Sequence, residues 1–293
     1  MAQGPYRRPL QERGTGPVSE PLRFTARPEF HSPTLVIGWA LDGARLGWRV
    51  TDYLITALGG KSFCSIEPVD FFPLGGVTVW NDLVLFPESR FYACPEQDLV
   101  VFRSAPPASN WYRFLHLIMD VAREYCHVRE VYTVGSMVAI GPHTADRQFF
   151  ATTNSADFKQ ELAPYGITRE VNYETPPEGR PTLNSYCLWT AKRRGITGAN
   201  LWTPIPFYLV SSEDPAAYRR MVGFLNHRLG LGLELGDLDE QTRQLYQRID
   251  RIRASSPDVD SLISRLENGE NLEEGEGEKL ANAVEKALQE NQA

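Results

Sequence analysis

The feature that most constrains the fold is a buried strand that a glycine-rich turn joins to an amphipathic helix. The strand is predicted at Thr34 to Gly38 (TLVIG), and the helix from Ala44 to Leu58. Apolar residues recur every four positions along this helix and give it one apolar face: Leu46, Val50, Leu54 and Leu58. A strand followed at once by such a helix is typical of the start of a β-α-β unit. The sequence therefore predicts an α/β fold.

The order of the remaining elements refines this fold class. Strands and helices alternate up to residue 203, and helices alone follow. This order predicts a three-layer α/β/α sandwich with a helical C-terminal appendage. We expect three parts: an extended N-terminal arm at 1–33, an α/β core at 34–235 and a helical, acidic extension at 236–293. Glycines interrupt the thin apolar stripe of the tail after about Ser256, so the sequence predicts that the core does not need this tail.

A second informative stretch runs from Val131 to Thr153. It predicts two short strands around a Gly-Pro-His-Thr loop, with Gly135 ending the first apolar run and Phe149 beginning the second strand. Loops at the ends of core strands are where open α/β folds place their sites.

The charge of the chain is concentrated at its end. The net charge is −7, and the segment from Asp258 to Ala293 alone carries ten acidic and three basic residues. The rest is therefore neutral and offers no basic surface for nucleic acid. The sequence has no run of 18 apolar residues, so no membrane helix is expected. Since no apolar segment follows the basic residues at the N-terminus, we expect no signal peptide and a cytoplasmic location.

Metal, disulfide and cofactor motifs are missing from the sequence. The four cysteines are far apart, form no CxxC pair and have apolar neighbours, which predicts buried free thiols: Cys64, Cys94, Cys126 and Cys187. No HExxH motif or helical histidine pair occurs, so we expect neither a metal nor a cofactor.

The glycine-rich turn is the first candidate ligand site. Gly38, Gly43 and Gly47 follow a strand and open a helix, where backbone amides can hold an anion. Their spacing matches neither GxGxxG nor GxxxxGK[ST], so close packing of helix against strand is the alternative. Asp42 in the same turn could line a cleft, or be an exposed loop acid.

The loop after Val131 supplies two further candidates. Ser136 offers a hydroxyl at a strand end, and His143 could act as a general base. No GxSxG elbow accompanies them, and the alternative is a loop held by hydrogen bonds of its Pro, His and Thr residues. The sequence identifies no catalytic residue.

Several blocks, in order, resemble the PAC2 family of proteasome-assembly-chaperone-2-like proteins. LVIGWALDGARLGWRVTDYL resembles its first strand and helix, and VYTVGSMVAIGPHTADRQFFATTNSADF its second signature. The third lies at Asn184-Ser185, Lys192 to Ile196, Leu201-Trp202 and Pro206 to Tyr208, and Asp214-Pro215-Ala216-Ala217 also fits. The likeness spans about residues 34 to 253, and the long helical C-terminus is similar to that of the bacterial, particularly actinobacterial, branch.

The resemblance implies an α/β/α core related in shape to nucleoside phosphorylases and hydrogenase-maturation proteases. It implies homo-oligomers, with trimers or larger assemblies expected, and in archaeal and eukaryotic relatives a role in proteasome assembly. It supplies no catalytic residues. We therefore expect a non-enzymatic, chaperone-like interaction protein; the alternative is a phosphorylase- or hydrolase-like enzyme that uses the Gly38–Gly47 loop and His143. The chain ends Glu290-Asn291-Gln292-Ala293, without the hydrophobic-tyrosine ending that docks some relatives on a proteasome ring.

Overall fold

The structure is a computed structural model that describes residues 21–40, 42–72, 77–167, 179 and 182–290. The strands within these ranges are β1 Leu22–Phe24, β2 Thr34–Trp39, β3 Lys61–Ile66, β4 Thr78–Trp80, β5 Leu83–Leu85, β6 Ser89–Cys94, β7 Leu99–Ser104, β8 Glu130–Ala139, β9 Phe150–Thr153 and β10 Thr197–Pro206. The helices are α1 Leu46–Ala57, α2 Trp111–Asp120, α3 Ala156–Glu161, α4 Leu183–Arg193, α5 Pro215–Leu229, α6 Gly236–Ser255, α7 Pro257–Glu267 and α8 Glu276–Glu290.

Eight of these strands form one mixed sheet in the order β1-β3-β6-β7-β2-β8-β10-β9. The four strands β7, β2, β8 and β10 are parallel, and the strands outside them pair antiparallel. Val36 at the centre pairs with Val101 on one side and Tyr132 on the other. We call the edge at which the four parallel strands end the carboxyl edge.

Helices cover both faces of the sheet. α1 and α5 pack on one face, and α2 and α4 on the other. Because side chains alternate along a strand, Val36 and Tyr132 belong to the core under α1 and α5, whereas Ile37 and Val131 belong to the core under α2 and α4. This confirms the predicted three-layer α/β/α sandwich and its helical C-terminal region.

β8 corrects the expected break at Gly135. It is one continuous strand of ten residues that pairs with β10 over its whole length. Gly135 lies inside it for a packing reason: a Cβ there would lie 3.0 Å from Asn184 Nδ2. The glycine is therefore a point of close approach between sheet and helix, not a turn.

The C-terminal helices also differ from expectation. Leu280, Val284 and Leu288 of α8 are at most 4% exposed, and they belong to the same apolar cluster as Val36 and Leu225. The apolar stripe of α8 is thus buried against the α/β core, in particular the 3₁₀ turn Phe207–Leu209. The tail after about Ser256, which the sequence predicts to be dispensable, is therefore packed against the core over its described residues.

The described part of the N-terminal arm is partly built into the sheet. Leu22 pairs with Ile66, and Phe24 with Cys64, so β1 is an antiparallel edge strand. The prediction of an extended conformation is correct for these residues, but they are an integral part of the sheet, because β3 offers them a free edge. Residues 1–20 of the arm lie outside the described residues.

Candidate functional site

A cavity of about 540 Å³ opens at the carboxyl edge of the sheet. β2 leads through α1 to β3 on one side, whereas β8 leads to β9 and β10 on the other. The cavity lies where these two connections diverge, which is the usual position of a binding crevice in an open α/β sheet. Its walls are mostly apolar: Trp39, Pro106, Val134, Phe150, Leu183 and Trp202. Its polar lining residues are Asp42, Ser136, Thr182, Asn184 and Asn200.

Asp42 is the titratable residue of this wall. Its Oδ2 accepts a hydrogen bond from the Gly47 N–H at 2.9 Å, and its Oδ1 has no partner among the described residues. Burial raises the pKa of the Asp42 carboxyl to about 7. The aspartate is therefore a cleft residue, and it exchanges a proton near neutral pH.

The amides after Gly43 are not free for an anion. The Ala44 N–H donates to Val210 O at 2.8 Å, and the Arg45 N–H to Asp42 O at 2.9 Å. The Leu46 N–H donates to Gly43 O, and the Gly47 N–H to the Asp42 carboxylate. The protein's own carboxylate occupies the start of α1, so a phosphate would find neither free donors nor a favourable charge there. This contradicts the anion loop of the enzyme alternative.

Gly38 and Gly47 form a contact between β2 and α1. A Cβ on Gly38 would lie 2.1 Å from Gly47 O, and one on Gly47 would lie 2.9 Å from the Trp39 N. Neither glycine lines the cavity. Gly43 is close to it, because its Cβ position is 3.0 Å from Ser136 Oγ. The structure therefore brings Asp42, Gly43 and Ser136 together and gives Gly38 and Gly47 a packing role.

The turn between β2 and α1 is also strained. Ala44 and Arg45 both adopt left-handed backbone conformations, with φ of 52° and 53°. Each costs on the order of 1 kcal/mol for a residue other than glycine. Tyr218 Oη holds the turn by donating to Ala44 O at 2.5 Å. Strain that the surroundings maintain is common next to binding sites.

His143 is buried away from the cavity lining. Its backbone N–H donates to Tyr208 Oη at 2.6 Å, and the Tyr208 hydroxyl lies 2.9 Å from its Nδ1. Tyr246 Oη donates to His143 O at 2.6 Å. Burial lowers the pKa of His143 to about 4, so the ring is neutral near pH 7, and its Nδ1 shares a hydrogen bond with the Tyr208 hydroxyl. This is a loop held by hydrogen bonds, with no general-base geometry toward Ser136 or Asp42.

Sequence reasoning missed most of the cavity wall. Asn184 lies on α4 and Asn200 on β10, both far along the chain from Trp39. Only the order of the strands in the sheet brings them next to that residue. A usable signal was present: the resemblance blocks included Asn184 and Trp202, two polar or aromatic residues at element ends.

We expect raised pH to destabilise the wild type relative to Asp42→Asn. In the unfolded chain Asp42 loses its proton near pH 3.8, but in the fold only near pH 7. Between these two pH values the folded state binds more protons than the unfolded chain. Its stability therefore declines as pH rises from 3.8 to about 7 and stays constant at higher pH. The difference should reach on the order of 2 to 4 kcal/mol. Urea unfolding across this pH range measures the difference, and Asp146→Asn, at an exposed residue, is the control. If the stabilities of wild type and Asp42→Asn change in parallel with pH, the prediction is wrong.

His143→Ala should destabilise the protein by about 1 to 3 kcal/mol, because the Tyr208 hydroxyl loses its buried acceptor. The wild type should also lose stability as pH falls from 6.5 toward 4, since only the unfolded chain takes up the proton there. Denaturant unfolding of both chains at neutral and acidic pH measures this. His31→Ala, at an exposed histidine, is the control, and equal stability of His143→Ala and wild type would refute the role.

The fold and the cavity define a class: a three-layer α/β/α protein with an apolar crevice at the carboxyl edge of a mixed sheet. The family model described as the PAC2 family matches residues 41–253, which is well over half of the 293 residues. The chain belongs to the PAC2 family. No curated protein matches the sequence.

Solved structures show the same fold. A Mycobacterium tuberculosis protein of unknown function is 18% identical with a TM-score of 0.72, covering 85% of this chain and 90% of its own. A Mycobacterium tuberculosis proteasome-assembly chaperone homologue is 17% identical with a TM-score of 0.66, covering 78% and 99%. The Pyrococcus furiosus archaeal proteasome activator PbaB is 19% identical with a TM-score of 0.64, covering 79% and 98%. At these identities the likeness concerns the fold.

Three further features concern metal ligands, membrane-spanning helices and the cysteines. Within the described ranges, no three or more His, Cys, Asp or Glu side chains are grouped as they would be to hold a metal ion. None of the helices in that part of the chain is long and apolar enough to cross a membrane. All four cysteines are buried free thiols, as predicted.

Proposed function

We propose that this protein is a homo-oligomeric, chaperone-like interaction module, a trimer or larger, and not an enzyme. The observation that carries the proposal is the β4–β5 hairpin. It forms a two-stranded sheet of its own, separate from the main sheet. Its apolar side chains are 45 to 65% exposed: Val79, Leu83, Val84, Leu85 and Phe86.

Such a hairpin needs a partner surface. A two-stranded hairpin is marginally stable alone in water, and a contiguous exposed apolar patch marks a protein contact. β4 and β5 lie in the connection between the end of β3 and the start of β6, which is at the carboxyl edge. The patch therefore lies at the same edge as the cavity.

A second exposed apolar surface lies at the carboxyl edge and supports the proposal that this edge is the contact region. β8 pairs with β2 only up to Val134, so its residues 135–139 pair with β10 alone and leave one strand edge open. Met137, Val138 and Ile140 beyond this point are 43 to 77% exposed. An open strand edge with apolar side chains is suited to pairing with another chain.

The chaperone-like character is supported by the relatives. Solved structures with this fold include one described as a proteasome-assembly chaperone homologue and one described as an archaeal proteasome activator. The enzyme alternative finds no support at its two proposed parts, since the amides after Gly43 bind the chain itself and His143 bonds with Tyr208.

Sedimentation velocity tests the proposal. The wild type should sediment as an oligomer at micromolar concentration, and Val84→Asp should shift it toward monomer, because a charge cannot be buried unpaired in an apolar contact. Tyr125→Asp is the control: Tyr125 is 45% exposed and lies at the opposite edge, where α2 ends. A wild type that is monomeric throughout, or a Val84→Asp chain that assembles normally, would refute assembly through the hairpin.

A further inference from the structure

The cavity at the carboxyl edge presents hydrogen-bond donors that the protein does not use. Asn184 Oδ1 accepts from Trp39 Nε1 at 2.6 Å. An indole nitrogen can only donate, so the oxygen of the Asn184 amide must face Trp39. The Nδ2 group of the amide is left to bind something else. That nitrogen lies on the cavity wall, 3.0 Å from a Cβ position on Gly135, and has no partner among the described residues.

Asn200 repeats this arrangement on β10. Its Oδ1 accepts from Thr133 Oγ1 at 3.0 Å, which also leaves the Nδ2 hydrogens for the cavity. The wall thus carries two side-chain amides, each with its oxygen engaged within the protein and its donors unengaged. Such a wall selects a ligand that carries hydrogen-bond acceptors.

The apolar walls select a flat ring system. Phe150 and Trp202 stack with an interplanar angle of 11° and centroids 5.9 Å apart, so two parallel, offset rings stand in the cavity wall. Trp202 Nε1 contacts Met137 Sδ at 3.1 Å, so its polar atom is also occupied. An aromatic ring placed against this surface gains area burial and stacking.

The charge of the lining decides which acceptor fits. No lysine or arginine is found among the described lining residues, and the acidic Asp42 is among them. A carboxylate or phosphate would have no cation to compensate its desolvation, whereas an uncharged carbonyl would need only the amide donors.

We infer that this cavity binds a small, uncharged, planar aromatic molecule with a ring carbonyl group, of the aromatic lactam class. The ring lies against Phe150 and Trp202, and the carbonyl oxygen accepts from Asn184 and Asn200. None of the described hairpin residues lines this cavity, whereas Met137 of the second apolar surface does.

Calorimetric titration of the full chain with isoquinolinone tests the inference. Isoquinolinone should bind one molecule per chain, and isoquinoline, which has the ring but no carbonyl, at least about tenfold more weakly. Asn184→Asp keeps an oxygen for Trp39 and replaces the donor by an acceptor, so it should weaken isoquinolinone by at least about tenfold. Trp202→Ala should do the same, and exposed Asn271→Asp should change nothing.

Three results would overturn the inference: no binding at millimolar isoquinolinone, equal binding of isoquinoline, or equal binding by the Asn184→Asp chain. If Asn184→Asp does not fold, as judged by circular dichroism, Asn200→Asp replaces it, and the ligand pair on the wild type decides independently. Binding by Val84→Asp equal to wild type separates this site from the assembly surface.

Discussion

A chain that ends at residue 275, without α8, should lose its cooperative fold. The reason is the burial of Leu280, Val284 and Leu288, which are at most 4% exposed and pack into the core under α1 and α5. Removing the helix would expose the apolar surface around Phe207–Leu209 to water, and each lost apolar side chain removes about 2 kcal/mol of burial. The free energy of unfolding of a single domain is about 5 to 15 kcal/mol, so three such losses remove a large part of it.

Single substitutions give this prediction a graded form. Leu280→Ala and Leu288→Ala should each destabilise the protein by about 2 to 5 kcal/mol, as buried leucines do. Lys286→Ala on the same helix is the control and should change stability by less than about 0.5 kcal/mol, because its side chain is 77% exposed. Chemical denaturation measures all three. A chain truncated at residue 275 that melts within a few degrees of the full chain would instead show that α8 is peripheral.

Breaking the ion pair between Arg147 and Asp214 should have the other large effect, about 3 to 5 kcal/mol for either partner. The two side chains are 6% and 0% exposed, with Arg147 Nε 3.0 Å from Asp214 Oδ2. Asp214 Oδ1 also caps α5 at the Ala217 N–H, and Arg147 Nη1 donates to Ala145 O. One pair thus joins α5 to the loop that holds His143, and removing one partner leaves the other charge buried and unpaired.

The double variant Arg147→Met with Asp214→Leu should lose clearly less than the two single losses combined, because no charge is left unpaired. The exposed pair Arg219 and Asp239 is the control, with side chains 41% and 61% exposed. Asp239→Ala should cost no more than about 1 kcal/mol. Equal losses at the buried and exposed pairs, measured by urea unfolding, would show that burial of Arg147 and Asp214 does not have this effect.

Local signals predicted the elements well where a short stretch decides the outcome. The strand at Thr34 forms as expected, and Asp214 followed by Pro215 begins a helix, as these residue types favour. The Asp214 carboxylate caps the helix it precedes, which follows from the hydrogen bonds that every helix start requires.

Long-range contacts explain what the sequence could not supply. Gly135 ends an apolar run, which is typical of a strand end, but the strand continues through it, and a Cβ at this position would crowd Asn184 Nδ2 at 3.0 Å. The acidic sequence of α8 suggested a peripheral segment, yet its three apolar residues find a partner surface on the Phe207–Leu209 turn. Of the candidate ligand residues, the sheet order decides that Asp42 and Ser136 meet and that His143 does not join them.

We propose that copies of this chain cover one another's β4–β5 hairpin. Hydrogen exchange of the β4–β5 amides as a function of protein concentration tests this, since the hairpin forms a sheet of its own and association would protect its amides. We predict slow exchange at Thr78–Trp80 and Leu83–Leu85 in concentrated samples and fast exchange on dilution, with the edge strand Leu22–Phe24 unchanged. Hairpin amides that exchange equally fast at every concentration would contradict the claim.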